Sequence, residues 1–287
     1  MTFHELIKQS IKTLSTIHPD TAEIEVYHLL SYCFEYSRHD IIQRLNEPIV
    51  CVDSLTAFNN ALLDRMKHKP LDLIISTSQF FDKEYDIEAG VLIPRAETEI
   101  VVNTAITMCR SYFQSQSFVG FELGIGSGVM SIELASQFPK SRLYGYDISE
   151  QAINVAKRNI KKHQIQSIEV IHKDFFDSNW KIHRVPKQPF LILSNPPYIP
   201  TKEIALLDIS VQRYDPISAL DGGADGLDIY RQLIQEVAPY TCLIVLEMGH
   251  GQAKSIQEIV CKKMKNAHVS CVKDNQNIDR VMVIKNK

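Results

Sequence analysis

From Thr2 to His68, apolar and amphipathic residues return at helical spacing: Phe3, Leu6 and Ile7, then Ile24, Tyr27, His28 and Leu30, then Leu55, Phe58, Leu62 and Leu63. Residues three and four apart share a helix face, so each run offers one stripe for burial. The pattern predicts a bundle of four short helices. Asp20 with Glu23 after Pro19 has the form of a capping box, Ser37 to Asp40 can open a third helix, and Asp53 or Ser54 can cap the fourth. Between Pro70 and Pro94 the pattern breaks into short stretches, Leu73-Ile74-Ile75 and Phe80-Phe81, with a turn expected before Val91-Leu92-Ile93. That segment predicts a linker holding a β-hairpin. From Thr98 helices alternate with strands near 119–123, 142–147, 168–174, 190–195 and 242–248, and such alternation builds a parallel sheet covered on both faces. Segments 268–273 and 280–284, joined by a short polar loop, should add an antiparallel hairpin at the sheet's end. The expected organisation is a helical domain over residues 1–75, a hairpin linker over 76–97 and an α/β domain over 98–287.

A chain of 287 residues has room for two cores. Its 45% apolar and 23% charged residues leave little place for extended disorder. The charge changes the picture more. The net charge of −3 speaks against a protein that grips long nucleic acid by neutralising phosphates. Residues 1–75 hold 7 Lys/Arg and 10 Asp/Glu against 24 of each in the remainder, so the acidity sits in the helical part. No apolar run approaches a membrane span, and the charged N-terminus lacks the core of a signal peptide, which predicts a cytoplasmic location. The six cysteines and ten histidines are scattered without metal-ligand spacing, so the cysteines read as reduced packing residues and no metal is expected.

Candidate chemistry begins at the Glu122-Leu-Gly-Ile-Gly-Ser-Gly128 turn, which follows a strand and opens a helix. Gly124, Ile125, Gly126, Ser127 and Gly128 can bring a ligand against main-chain N–H groups at the helix start. A nicotinamide dinucleotide competes for such a turn, but its fingerprint needs a third glycine where Val129 stands. Asp147, at the end of the next strand, can accept both hydrogen bonds of a ribose diol, or else cap the helix that follows. Asp174 can take an adenine amino group while Phe175 covers the ring, or Asp174 can be a turn residue.

The Asn195-Pro196-Pro197-Tyr198 run closes the fourth strand. Two prolines could be only a rigid stop. Each proline also holds the residue before it extended, so the Asn195 side-chain carbonyl and the Pro196 main-chain carbonyl can converge on one point. Two acceptors side by side suit a planar NH₂ group, and Tyr198 can stack on it. An amide nitrogen is a poor nucleophile, so catalysis there must come from orientation and from carbonyl dipoles facing the positive charge that builds on nitrogen. An amide or the exocyclic amine of a base both fit.

With residues 92–99 (Leu-Ile-Pro-Arg-Ala-Glu-Thr-Glu), 213–220, 221–227 and 279–281, these motifs resemble the release factor glutamine methyltransferases, the family also called HemK, from about Pro70 to the C-terminus. The resemblance implies a helical substrate-docking domain, a hairpin linker and a Rossmann-like class I methyltransferase domain. It implies transfer of a methyl group from S-adenosyl-L-methionine to N5 of the glutamine in the Gly-Gly-Gln loop of class I release factors, leaving S-adenosyl-L-homocysteine. On that reading Gly124 to Gly128, Asp147, Asp174, Phe175 and Asn195 contact the cofactor. Asn195, Pro196 and Tyr198 are catalytic, Asn195 to Tyr198 hold the glutamine, and Arg95, Glu97 and Glu99 lie near the mouth of the site. The enzyme is expected to be a monomer that binds neither membrane nor nucleic acid. The chain departs from the family at Leu73, Ser76 and Ala96 in or near the linker, and at Glu122, where the family usually has Asp. Rival readings are glutamine methylation of a ribosomal protein, adenine-N6 methylation of nucleic acid, which would need a basic face and a flipped base, and a non-enzymatic adaptor.

Overall fold

Thr2 accepts a hydrogen bond from the Glu5 N–H while the Glu5 carboxylate accepts one from Thr2, and this capping box starts the first helix of the computed structural model. The structure describes residues 1–177 and 188–286. It divides into two compact units, Met1–Thr77 with Ile209–Tyr214, and Ser78–Asp208 with Asp215–Lys287.

The first unit holds α1 (Phe3–Leu14), α2 (Ala22–Phe34), α3 (Arg38–Gln43), α4 (Val52–Met66), α5 (Leu71–Ile75) and the short α9 (Ile209–Tyr214). The four helices expected between Thr2 and His68 are α1 to α4, and α5 is a fifth that falls in the segment read as linker. A five-residue helix shows no amphipathic repeat, so α5 is invisible to periodicity; it starts after Pro70 and stops at Ser76, whose φ of 61° is left-handed. The Ser37–Asp40 capping box is present. Two other expected caps are replaced: α2 begins after Thr21, whose hydroxyl donates to the Glu25 side chain, and α4 begins after Cys51. On α2 the buried stripe is Val26, Leu29 and Leu30, each 0% exposed, while Ile24 is 53% exposed and His28 faces outward. The stripe shifts because Glu25 can enter the core: Arg65 on α4 meets it with Nε 2.5 Å and Nη2 3.1 Å from its two oxygens.

The second unit takes up the chain at Ser78, within a two-stranded sheet of β1 (Thr77–Phe80) and β2 (Lys83–Asp86) that turns at Phe81-Asp82. This hairpin lies earlier than the turn expected before Val91, and residues 91–93 form no strand. After α6 (Ala96–Tyr112) come β3 (Val119–Leu123), α7 (Val129–Gln137), β4 (Arg142–Asp147), α8 (Glu150–Lys162), β5 (Ile168–His172) and β6 (Phe190–Ser194). Then follow α10 (Asp228–Val237), β7 (Cys242–Glu247), α11 (Ala253–Lys263), β8 (His268–Lys273) and β9 (Asp279–Asn286). The sheet order is β5-β4-β3-β6-β7-β9-β8, with parallel pairing through β7 and an antiparallel β9 and β8 at the edge. The α/β class and the terminal hairpin agree with the sequence reading. One face buries Phe121, Ile192 and Ile244 against α10 and α11, and the other buries Leu191, Val245 and Val283 against α6 and α7. The chain runs from β3 to β4 on one side and places β6 on the other, which opens a crevice at the carboxyl ends of β3 and β6.

Candidate active site

That crevice is a cavity of about 280 Å³. Its walls come from the turn after β3, the ends of β4, β5 and β6, residues 90–95 with Thr98, and residues of the 216–219 segment and α10. Of the residues expected at the site, Gly124, Ile125, Gly126, Ser127, Asp147, Asp174, Phe175, Asn195, Pro196 and Pro197 line it, while Gly128 and Tyr198 do not.

Gly124 and Gly126 have φ of 68° and 55°, a conformation L side chains rarely adopt, and a Cβ on either would meet nothing within 4 Å. The turn therefore keeps its backbone bare toward the cavity. Gly128 instead caps α7 and packs on Ala156. Asn159, fully buried on α8, ties the turn to the hairpin: its Nδ2 donates to the Ser127 and Asp86 carbonyls at 2.8 and 3.0 Å, and its Oδ1 accepts from the Asp86 N–H at 2.7 Å.

Asp147 is not the cap of α8, a role Ser149 takes by accepting from the Ala152 N–H. Its two oxygens accept from the Gly126 and Ser149 N–H groups at 3.0 and 2.9 Å, which aims the carboxylate and leaves lone pairs on both oxygens. Asp174 lies beyond the end of β5 and accepts from the Phe176 N–H at 2.9 Å; Phe175, 4% exposed, sets its ring edge-on to Tyr146 with centroids 5.4 Å apart. Glu122 lines the cavity with 2% exposure. Burial pushes its carboxyl up to about 8, further raised by Asp147 and only partly opposed by the hydrogen bond from Ser131.

Asn195 is the first residue past β6, where Ser194 Oγ binds the Leu123 carbonyl at 2.8 Å and knits the ends of β6 and β3. Asn195 Nδ2 donates to Thr98 Oγ1 at 3.2 Å, and Thr98 Oγ1 donates to Glu247 Oε2 at 2.8 Å. Tyr198 turns away from the cavity: its hydroxyl donates to Glu247 Oε1 at 3.4 Å, and burial, then the Glu247 charge, pushes its acidity constant up. Its carbonyl accepts from Gln252 Nε2 at 2.8 Å. The glycines of 221–227 serve this segment, since a Cβ at Gly226 would stand 2.3 Å from the Tyr198 carbonyl oxygen.

Arg95 lines the cavity and pairs with Asp215, whose acidity constant burial raises against the pull of that guanidinium. Glu99 accepts from the Phe81 N–H at 2.7 Å, and Glu97 is exposed at the start of α6. Sequence reasoning missed Thr98, Glu247, Asn159 and Gln252 as site residues. Thr98 lies inside the 92–99 motif, and Glu247 ends a strand as Asp147 does; Asn159 and Gln252 carry no local signal. Among the described residues, no group of three or more His, Cys, Asp or Glu is arranged to hold a metal ion, and no helix is long and apolar enough to cross a membrane.

A cationic amino-acid tail suits the buried Glu122, a ribose the aimed Asp147, and an adenine the apolar wall at Phe175. The fold and this lining define an S-adenosylmethionine-dependent methyltransferase. The "Methyltransferase small domain" family model matches residues 105–209. The release factor glutamine methyltransferase of Gloeobacter violaceus is 35% identical over 218 residues, 75% of this chain and 73% of the relative. That of Thermodesulfovibrio yellowstonii is 33% identical over 250 residues, 85% and 87% of the two chains. The chain belongs to the release factor glutamine methyltransferase family. A crystal structure of the hMettl16 catalytic domain in complex with the MAT2A 3'UTR hairpin 1 covers 81% of this chain and 80% of its own at a TM-score of 0.56. At 12% identity it shares the fold alone.

Proposed function

We propose that this enzyme methylates N5 of the glutamine side chain in the Gly-Gly-Gln motif of class I peptide chain release factors. The observation that carries the reading is the orientation of Asn195, whose NH₂ is taken by Thr98 at 3.2 Å, leaving its carbonyl oxygen as an acceptor for an incoming amide. The names of the relatives supply the class of substrate.

Bound in the crevice, S-adenosylmethionine supplies an electrophilic methyl group on a sulfonium. Glu122 would hold its ammonium, Asp147 its ribose, and Asp174 with Phe175 its adenine. Toward the substrate, the Asn195 side chain and the Pro196 carbonyl take the two N–H bonds of the glutamine and aim its nitrogen. Orientation matters most, since the amide lone pair is delocalised. As positive charge builds on nitrogen, the two carbonyl dipoles are already in place to stabilise it. No strong base is needed during transfer, because the product sheds its proton afterwards. Tyr198, turned toward Glu247, contributes through the wall behind this pocket and not by stacking on the amide. The helical N-terminal domain docks the protein substrate, an assignment supported by the position of every cavity-lining residue after residue 89. The same reading has the enzyme working in the cytoplasm as a monomer.

The test is to incubate the enzyme with labelled S-adenosylmethionine and purified release factors, ribosomal proteins and DNA, and to map the label by mass spectrometry. Label on the Gly-Gly-Gln glutamine is expected. Label confined to a ribosomal protein or to adenine would overturn the proposal.

A further inference from the structure

An asparagine side chain can present either of two faces to a pocket. Turned one way it offers a carbonyl, which receives an N–H; turned the other way it offers an NH₂, which repels one. The two ends have nearly the same shape, so packing alone does not choose between them, and the choice must come from a neighbour with a fixed hydrogen-bonding sense.

The neighbour here is Thr98, 4% exposed and within 3.2 Å of the Asn195 amide. A threonine hydroxyl has a single proton. That proton goes to Glu247 Oε2 at 2.8 Å, so toward Asn195 the hydroxyl has only lone pairs to offer. Glu247, 2% exposed at the end of β7, is itself held in the accepting sense. Tyr198 donates to its other oxygen at 3.4 Å, and the fully buried Tyr230 donates to its main-chain carbonyl at 2.8 Å, which pins the strand end. With Glu247 ionised, as two donors on its two oxygens require, every proton in this chain of contacts points toward it. Only the NH₂ end of Asn195 can complete it.

We propose that Thr98 and Glu247 are positioning residues that set the sense of the Asn195 amide, and through it make the site select a substrate that donates an NH₂. The inference rests on the amide-methylating reading above. Neither residue needs to touch the cofactor's methyl group or the glutamine to act in this way. Their influence travels by one hydrogen bond each, and a flipped Asn195 would face the target amide donor to donor.

The experiment compares Thr98→Val, which keeps the shape and removes the hydroxyl, with Thr98→Ser, which restores it. Both are assayed on a purified release factor with labelled S-adenosylmethionine, and cofactor affinity is measured separately by calorimetry. Thr98→Val is expected to lower kcat by about 10²-fold, the scale of loss when a reacting group is misplaced. Its cofactor Kd should stay within about threefold of wild type, and Thr98→Ser should recover kcat to within about threefold, because the glycine turn and Asp147 are untouched. A folded Thr98→Val with wild-type kcat would overturn the inference, as would a folded Thr98→Ser as slow as Thr98→Val. Should Thr98→Val fail to fold, wild-type enzyme still decides. Its Asn195 side-chain NH₂ protons should show NMR through-space contacts to the Thr98 side chain, and contacts from those protons to the cavity wall in their place would sink the idea. Wild-type enzyme that leaves every release factor unlabelled defeats the functional reading, and the NMR contact then judges the orientation by itself.

Discussion

Buried acids meet opposite fates in the two units. Glu25 in the helical unit suffers the cost of burial, yet the Arg65 guanidinium and the Thr21 hydroxyl outweigh it and hold its carboxyl below the usual range. Glu122 and Glu247, in the second unit, have no cation in hydrogen-bonding contact among the described residues. Burial dominates, opposed in part by hydrogen bonds from Ser131 at Glu122 and from Thr98 and Tyr198 at Glu247, with a smaller pull on Glu247 from the Arg280 charge, and their carboxyls rise to about 8 and about 7. The helical unit neutralises its buried charge internally. The cavity keeps an acid whose natural partner is a ligand's cation, and a second acid whose partners are hydroxyls that orient an amide. Perturbed acids of the second kind gather where chemistry is done.

The comparison breaks most visibly at Arg65. Arg65→Met should leave Glu25 buried without its cation and cost about 3–5 kcal/mol of stability by chemical denaturation. A loss below 1 kcal/mol would mean that the pair is not the device described. Next in size is Asn195→Ala, which should slow methyl transfer by about 10²–10³-fold while cofactor binding stays within a small factor. Equal losses in both would move Asn195 from the substrate to the cofactor. Asp147→Ala should weaken cofactor binding by about 1.5–3 kcal/mol, read by calorimetry, through loss of charge-assisted bonds to the ribose. Unchanged affinity would reduce Asp147 to shaping the turn at Gly126.

Glu122→Gln gives the smallest effect, and its sign is opposite to that of Arg65→Met. A carboxyl raised in the folded state binds its proton more tightly than in the unfolded chain. Its contribution to stability is therefore full below about 4.5 and is lost as pH rises through about 8. At pH 9 the substitution should raise stability by about 2 kcal/mol, or roughly 4–8 °C in Tm, and below pH 4 it should have no such benefit. Glu25 runs the other way, its stabilisation lost as pH falls through its lowered value. A Glu122→Gln enzyme less stable than wild type at pH 9 would show that the cavity acid is neutralised before any ligand arrives.

Much of this site is legible in the sequence because its parts are local. A strand end, a bare glycine turn and a proline-locked asparagine each act within a few residues, and periodicity places β3, β4 and β8 at the observed bounds. The same locality explains the helical misreadings: α5 is too short for a repeat, and the buried face of α2 depends on Arg65, forty residues away in the chain. By itself, then, the sequence determined the alternation that makes a parallel sheet, the crevice at its carboxyl edge, ten of the residues lining it and the family to which the chain belongs. Tertiary structure alone decided that Tyr198 turns from the cavity to Glu247 and that Asn159 braces the glycine turn. It also decided that Thr98 and Glu247, 149 residues apart, order the protons beside Asn195. A hydrogen bond's sense depends on which groups face each other in space, and no spacing along the chain records it.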